Sequence, residues 1–535
     1  MSQPAGKDHR PRVPRIGGDV LWPVVSGLLL VLAFPPWRLW PLIFLAWIPL
    51  WVHLDRRLAS GPAPSWRGTF LQGWGMGCVG FIGMLHWILG LSNEELAIPG
   101  LMIPALGLLG LYLGVFFGLA ALATRWLARW VGVPFLVLAP AVGLLCEWLR
   151  AQGPLGFPWG AAGYALARVP PMIQGAALVG FWGLVFFVLI INALLAGAVR
   201  GRRAGLPAAL VLITLVGVGG AWVLAAHPVG TKAAGSTAMT VLIAQPDIRR
   251  EMKWKPEHRE EVIRRVLAHG AAAAEQGRRE GGFDLFIWPE TVLPVLLLQE
   301  PQVLARVQGF VEALDRPLLL GTQEGFWHGP ARTRDWLIYN SALVFYPDGG
   351  RSPTYRKMKL VPFSEQMPLQ KLAPWLKEID FGQSDFSAGE DPILFPVAGE
   401  QIGCLICFES VFPEVARQLV REGAGVLVNI TNDFWFGRTA GPAQHAEMAI
   451  LRAVENRVPV VRCANTGISM IIDPWGRVRQ ETAVFTPDAL RGEICAGAGS
   501  PAVRVGDGML GLVAAGILFL ILARWFPRRG GGRAS

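Results

Sequence analysis

Long uncharged apolar runs constrain this chain more than any other feature, because a lipid bilayer is the environment that accommodates so many of them. Residues 20–54 carry one formal charge, Arg38, and break at Phe34-Pro35-Pro36-Trp37, which reads as two short spans joined by a turn. Further uncharged stretches cover 68–93, 96–124, 130–146, 169–199 and 204–226, and a last one covers 508–523. A helix crosses a bilayer with about 20 apolar residues, in a range of roughly 17–25. Most of the runs qualify, whereas 130–146 and 508–523 are marginal and need help from their flanks. The sequence therefore predicts a multi-pass α-helical membrane part of about eight spans, seven before residue 227 and one at the C-terminus.

Composition agrees. Of 535 residues, 52% are hydrophobic and only 16% are charged, against about 25% charged in soluble domains. The formal net charge is +10, but the arginines gather beside the apolar runs and no base-recognition motif accompanies them, so no nucleic acid partner is expected. Basic residues favour the cytoplasmic side of a membrane. With Lys7, Arg10, Arg12 and Arg15 placed inside, the successive inner loops hold Arg56, Arg57 and Arg67, then Arg125 and Arg129, then Arg200, Arg202 and Arg203. The tail adds Arg524, Arg528, Arg529 and Arg533, while the outer loops hold Arg38, the acidic Glu94 and Glu95, and Arg150 with Arg168. Residues 227–505 then lie outside. No small-x-small cleavage site follows the first apolar run, so residues 1–34 read as an uncleaved anchor rather than a signal peptide.

The external segment has a different texture. Short β-rich runs occur at 239–245, 283–288, 317–321, 338–346, 402–408, 425–430 and 458–472, with Ala-, Glu- and Arg-rich helical stretches such as 256–278 and 443–457 between them. Strands alternating with helices predict an α/β layered domain. In such domains functional groups collect beyond the carboxyl ends of strands. Three strand ends carry polar residues here: Phe283–Glu290 ends in Glu290, Gln401–Glu409 ends in Cys407 and Glu409, and 425–433 ends in Asn432 and Asp433. The stretch between them supplies Lys357, Lys359 and Glu365. A carboxylate, a lysine and a cysteine form a chemically complete set. The thiolate is a nucleophile that needs a base or a lowered pKa, a glutamate can take its proton, and a lysine can stabilise the thiolate and then an oxyanion. Taken singly, each has a plain structural reading: Glu290 as a turn acid or N-cap, Lys357 as a solvated lysine, Cys407 as a buried strand cysteine.

The Cys404-Leu405-Ile406-Cys407 spacing admits other chemistries. An extracytoplasmic Cys-x-x-Cys can be an oxidised pair, but a redox pair sits at a helix N-terminus, whereas here the run reads as a strand on which positions i and i+3 face opposite ways. Zinc requires further ligands at ordered spacing, which Cys78, Cys146, Cys463 and Cys495 do not offer. A cysteine–histidine hydrolase with His445 as base is a second enzyme class; the helical setting of His445 suits a structural or substrate-contact role. A membrane-anchored amidase and a non-enzymatic scaffold are further readings, while spans without charge speak against ion transport.

Trp288-Pro289-Glu290, Tyr355–Glu365 and Cys404–Ser410 together resemble the Glu–Lys–Cys signature of the nitrilase (carbon–nitrogen hydrolase) superfamily. Seven spans before such a domain and one after it resemble the apolipoprotein N-acyltransferase family. So do the motifs at 360–369, 432–437, 441–457 and 156–160. The resemblance covers essentially the whole chain. It implies a nitrilase-like αββα sandwich at 238–497 after a membrane domain at 1–227, a C-terminal span at 506–526 and a cytoplasmic basic tail at 527–535. It also implies a monomer in the bacterial inner membrane with its catalytic domain on the periplasmic side, acting without cofactor or metal.

The implied reaction is a ping-pong acyl transfer. Cys407, deprotonated by Glu290, attacks the sn-1 ester of a phospholipid, and the α-amine of a diacylglyceryl-modified apolipoprotein takes the acyl chain from the thioester. Lys357 and the backbone N–H of Phe408 hold the oxyanion. Glu365 matches a second glutamate that orients the lysine or the catalytic glutamate, and Glu409 an acid that supports the nucleophile's loop. Trp254 falls where the family has a functional loop tryptophan, which as a membrane-facing aromatic would gate lipid entry; plain packing is the alternative. Trp159 lies in an outer loop facing the catalytic domain, with an interfacial belt position as its alternative. Glu147 and Arg150, one helical turn apart, are expected to pair. The chain departs from the family at Phe408, where tyrosine is usual, and at Ser364, where glycine is common; the Phe408 N–H survives its change.

Overall fold

The computed structural model describes residues 16–59, 64–90, 100, 102–230, 238–329, 335–368, 375 and 385–525. The basic N-terminal residues 7–15, Glu94 and Glu95, and the tail 527–535 lie outside the described residues. The apolar runs form α1 (Ile16–Leu32), α2 (Ile48–Ala59), α3 (Trp66–Met84), α4 (Met102–Val131), α5 (Phe135–Arg150), the short α6 (Pro170–Ile173), α7 (Ala176–Val199) and α8 (Gly205–Ala226). Of these, α4, α7 and α8 are long and apolar enough to cross a membrane, at 30, 24 and 22 residues. The first run breaks after α1, as the sequence predicted, but its second half yields a helix of only 12 residues. The run at 68–93 also stops short, with α3 ending at Met84 before a 3-10 turn at His86–Gly90.

Helices α3 and α4 pack backbone to backbone. A Cβ on Gly77 would stand 2.6 Å from the Cα of Gly114. Only glycine permits that approach, the small-residue logic of helix pairing in lipid. Within α7 the backbone breaks at Gly180, whose φ is 71°, and the freed N–H of Phe181 donates to Glu455 Oε1 at 3.0 Å. That bond crosses from the helical half into the α/β half.

The second half begins with β1 (Ala238–Gln245) and then α9 (Arg250–Lys253), α10 (Arg259–Arg279), β2 (Leu285–Ile287), α11 (Pro301–Leu314), β3 (Leu318–His328), β4 (Asp335–Phe345) and β5 (Tyr355–Arg356). It continues with β6 (Leu394–Val397), β7 (Glu400–Ile406), α12 (Pro413–Arg421), β8 (Val426–Thr431), α13 (Gly441–Asn456), β9 (Val460–Ala464), β10 (Met470–Ile472), β11 (Val478–Glu481) and β12 (Asp488–Cys495). The chain returns to helix at α14 (Pro501–Val505) and α15 (Gly508–Trp525). The strands make two six-stranded sheets, ordered β12-β1-β2-β3-β4-β5 and β11-β10-β9-β8-β7-β6. β1, β2 and β3 run parallel, as do β7, β8 and β9, with antiparallel strands outside them.

Alternation along the strands builds the layers. Val241, Ile243, Leu285, Ile287 and Leu319 face the other sheet, sharing one core with Ile402, Cys404, Ile406, Val428 and Ile430. Their neighbours Leu242, Ala244, Phe286, Trp288 and Leu320 point the other way, onto Val262, Val266, Val307 and Val311 of α10 and α11. Helices α12 and α13 cover the second sheet. The predicted run at 458–472 is two strands, β9 and β10, which pair with each other across the turn between them.

Candidate active site

The ends of β2, β5 and β7 converge; the sequence marked the first and the last as polar strand ends and supplied Lys357 only from the stretch between them. Glu290 follows β2 in a turn made possible by Gly321 on β3, where a Cβ would stand 2.6 Å from the Glu290 Cα. Lys357 follows β5, and its own N–H donates to the Asn340 carbonyl of β4 at 2.9 Å. Cys407 comes directly after β7. The strand ends at Ile406, and Cys407 itself adopts φ 51° before a 3-10 turn over Cys407–Val411. The expectation that Cys404 and Cys407 lie on one extended strand facing opposite ways is thus corrected at its second residue: Cys404 sits in the strand, fully buried, and the backbone turns at Cys407. Both thiols are free.

The charged groups are buried and linked. Lys357 Nζ donates to Glu365 Oε1 at 2.8 Å and lies 3.8 Å from Glu290 Oε1. Asn340 joins the two carboxylates, its Nδ2 donating to Glu290 at 2.7 Å and to Glu365 at 3.1 Å. Glu365 is anchored in turn by the Val361 N–H at 2.9 Å. It therefore touches Lys357 directly and Glu290 through Asn340. Sequence reasoning missed Asn340, whose only signal is an amide, followed by Ser341, in the middle of β4.

Glu409 ties the Cys407 turn to the segment that carries Lys357. One oxygen accepts from the Ile406 N–H at 2.7 Å, the other from the N–H groups of Met358 at 2.7 Å and Lys359 at 3.2 Å. The Tyr355 hydroxyl donates to both at 2.9 Å. Burial pushes the Glu409 carboxyl up to about 7, against the pull of the Ile406 N–H and the Lys357 charge.

Electrostatics assign the resting protons. Burial works against the Lys357 ammonium, yet Glu365, Cys407 and Glu290 together hold it well above the ordinary lysine range. Burial pushes the Cys407 thiol up, and the Glu290 charge pushes it further while Lys357 opposes. Burial also raises Glu290, with Lys357 pulling it back. Burial and the Glu290 charge thus favour the protonated thiol, and the Lys357 cation opposes them.

His445 stands on the other side of Cys407 and is fully engaged. Nδ1 is 3.0 Å from Asp433 Oδ1 and Nε2 is 3.1 Å from the Cys407 carbonyl. Arg462 donates to Asp433 Oδ2 at 2.6 Å and is itself held by Asn429. Burial and the Arg462 charge keep the imidazole below the ordinary histidine range. The ligand atoms of Cys407, Asp433 and His445 lie within 4.8 Å of one another, but Asp433 is neutralised by Arg462. That is a hydrogen-bonded strut under Cys407 rather than the donor set of a metal site.

The helical half reaches this strut. Trp159 is buried, stacked on His445 with ring centroids 5.5 Å apart, so its belt alternative does not hold. Its Nε1 donates to Gln444 Oε1 at 2.8 Å, as does Trp87 Nε1 at 3.1 Å. The Gln444 Nε2 donates to the carbonyls of Pro35 at 2.9 Å and Met84 at 3.2 Å. Phe157 lies 5.9 Å from Phe408. Arg150 pairs with Glu147 at 2.6 Å, as expected, and also donates to the carbonyls of Phe157 and Trp159. Trp254 is 40% exposed, at the end of α9. Its neighbour Lys253, which sequence reasoning passed over, is buried.

Fold and site together define a carbon–nitrogen hydrolase domain set on a bundle of apolar helices. Residues 240–494 match the family described as Carbon-nitrogen hydrolase, and residues 26–194 match the Apolipoprotein N-acyltransferase N-terminal domain. Over 497 residues the chain is 35% identical to an apolipoprotein N-acyltransferase of Geobacter metallireducens, covering 90% of each chain. It is 34% identical over 471 residues to one of Bradyrhizobium diazoefficiens, covering 85% of each. Among solved structures, an amidase from Nesterenkonia sp. aligns with 53% of this chain and 99% of its own, at 20% identity and TM-score 0.36. The chain belongs to the apolipoprotein N-acyltransferase family.

Proposed function

We propose that the protein N-acylates the α-amino group of the diacylglyceryl cysteine of apolipoproteins, with a phospholipid as acyl donor and Cys407 as the covalent carrier. Glu290 takes the thiol proton as sulfur attacks the sn-1 ester carbonyl. Lys357 and the Phe408 N–H stabilise the tetrahedral oxyanion. Collapse expels the lysophospholipid, whose oxygen takes the proton back from Glu290, and leaves a thioester. The acceptor amine then attacks the thioester, Glu290 removes its proton, and the thiol leaves with that proton restored. Glu365 and Glu409 hold Lys357 and the nucleophile's turn in register, and Trp254 stands at the exposed rim where lipid would enter. The observation that carries this reading is a half-buried thiol, on a turn of positive φ, acted on by a lysine cation and a carboxylate.

The membrane arrangement proposed with it has eight spans and a monomeric chain in the bacterial inner membrane. The domain at 238–497 faces the periplasm, where diacylglyceryl-modified substrates are anchored in the outer leaflet. No cofactor is called on.

Purified protein incubated in detergent with phospholipid, digested and examined by mass spectrometry, tests the first half-reaction. A hydroxylamine-labile fatty acyl adduct is expected on the Cys407 peptide, retained in Cys404→Ser and in His445→Asn, and lost in Cys407→Ser and Glu290→Gln. An adduct that survives Glu290→Gln but disappears in His445→Asn would transfer the base to the histidine. A folded protein without any adduct would end the thioester mechanism.

A further inference from the structure

Lys253 is a buried lysine, 1% exposed, that the reaction as described does not use. It sits on α9, on a segment fixed by Asn465: the Ile248 N–H donates to Asn465 Oδ1 at 2.9 Å, and Asn465 Nδ2 donates back to the Ile248 carbonyl at 2.7 Å. Its ammonium lies 3.2 Å from Thr291 Oγ1, the residue after Glu290. The rings of Trp254 and Phe434 stand 5.4 and 5.9 Å from it. Thr291 holds it beside the Glu290 turn, and the Glu290 charge favours its ammonium form.

The buried charges around Glu290 do not balance without it. Glu290 is faced by Lys357 from the end of β5, Glu365 from the following loop, the Asn340 amide from β4 and Lys253 from α9, with the Cys407 thiol beside it. Lys357 pairs with both Glu365 and Glu290. One cation thus serves two carboxylates, which leaves a net negative charge in a site where an uncompensated charge is costly.

We propose that Lys253 is the second cation of the site, a positioning residue that acts through Glu290 to keep the group around that carboxylate neutral at every step. With both lysines charged, the four ionisable groups that act on one another around Glu290 sum to zero: Glu290 and Glu365 against Lys253 and Lys357. Transfer of the Cys407 proton to Glu290 moves the negative charge to sulfur and leaves the sum at zero. Attack moves it again, to the oxyanion. Burial brings Lys253 down to about 7, with Glu290 raising it, so the two ionise as a linked pair.

This rests on the Glu290–Cys407 proton transfer proposed above, but its test needs no lipid substrate. The measurement is the rate of Cys407 alkylation by iodoacetamide as a function of pH, read by mass spectrometry on the full-length protein in detergent. Loss of the nearby positive charge should hold the proton on the Glu290–Cys407 pair to higher pH. In Lys253→Met the acid limb of the profile is expected to move up by about one pH unit, roughly a tenfold loss of rate below the limb. Lys253→Arg should keep the parental limb. Should the methionine variant fail to fold by thermal unfolding, Lys253→Gln removes the charge while keeping a donor for Thr291. An acid limb that stays at the parental pH in a folded neutral variant overturns the proposal, as does an equal shift in the arginine variant. If the thioester chemistry itself fails, this alkylation profile still answers, because it reads thiol ionisation alone.

Discussion

Glu409 accepts from four donors on two separate strand ends, and an amide cannot do the same. In Glu409→Gln one of the two oxygens becomes an NH2 group facing buried N–H donors. An unsatisfied buried donor costs about 1–3 kcal/mol, so thermal unfolding should shift down by several degrees. The rate of Cys407 acylation should fall by roughly tenfold or more, because the separation between the thiol and Lys357 is set by this carboxylate. A variant with parental melting and parental acylation would show that the turn holds itself. At this scale the sequence was most informative where a polar residue ended an apolar run: Glu290, Cys407 and Glu409 carry that mark, and Lys357, after Tyr355-Arg356, does not. Asn340 and Lys253 carry none. Asn340 lies in mid-strand and looks like an accident of composition, and Lys253 sits among Arg250, Glu251 and Lys255 in what reads as a solvated charge run. Only the three-dimensional approach of other segments buries them.

Helix α13 is the element on which the two halves meet. Gln444, His445, Glu447, Arg452 and Glu455 are all buried on it. Glu447 receives Arg38 at 2.9 Å and lies 3.4 Å from Arg168, and Glu455 receives the Phe181 N–H at the α7 break. Gln444→Ala would leave two indole N–H groups and two carbonyls without their amide partner. A loss of about 2–4 kcal/mol is expected, seen as a lower melting temperature in detergent. Slower Cys407 alkylation should accompany it, since Trp159 and His445 lose their shared support. Unchanged melting would mean that water replaces the side chain at no cost. The sequence placed this helix correctly, yet its polar content reads as a solvated face. Burial of that face is a property of the partner, which no periodicity within 441–456 reveals.

At the scale of the whole molecule, the alternation of apolar runs and β-rich segments was enough to read two kinds of architecture in one chain. The β-rich apolar runs located the central strands of both sheets, because those strands are buried on both faces. The edge strands β11 and β12 escaped notice, since Val478–Glu481 and Asp488–Cys495 are half polar. Helix lengths escaped too: hydropathy marked where chain enters apolar surroundings, but α2 stops at 12 residues and α3 at Met84. A fragment spanning 238–497 is expected to be poorly soluble, with a thiol less reactive than in the intact chain. Comparing alkylation of Cys407 in fragment and full-length protein checks this, and equal reactivity would show the α/β half to be self-sufficient.

The four bonds of the Gln444 amide set a condition on how such a protein can be recombined. Each of them ends on a different segment of the helical half: the Pro35 turn, the end of α3, the Trp87 turn and the Trp159 loop. A hybrid that grafts this hydrolase domain onto another bundle must therefore carry four matching atoms at one point, although in sequence the halves are joined elsewhere, after α8 and again after β12. The two halves are written consecutively in the chain, but they are interchangeable only as a set with that joint.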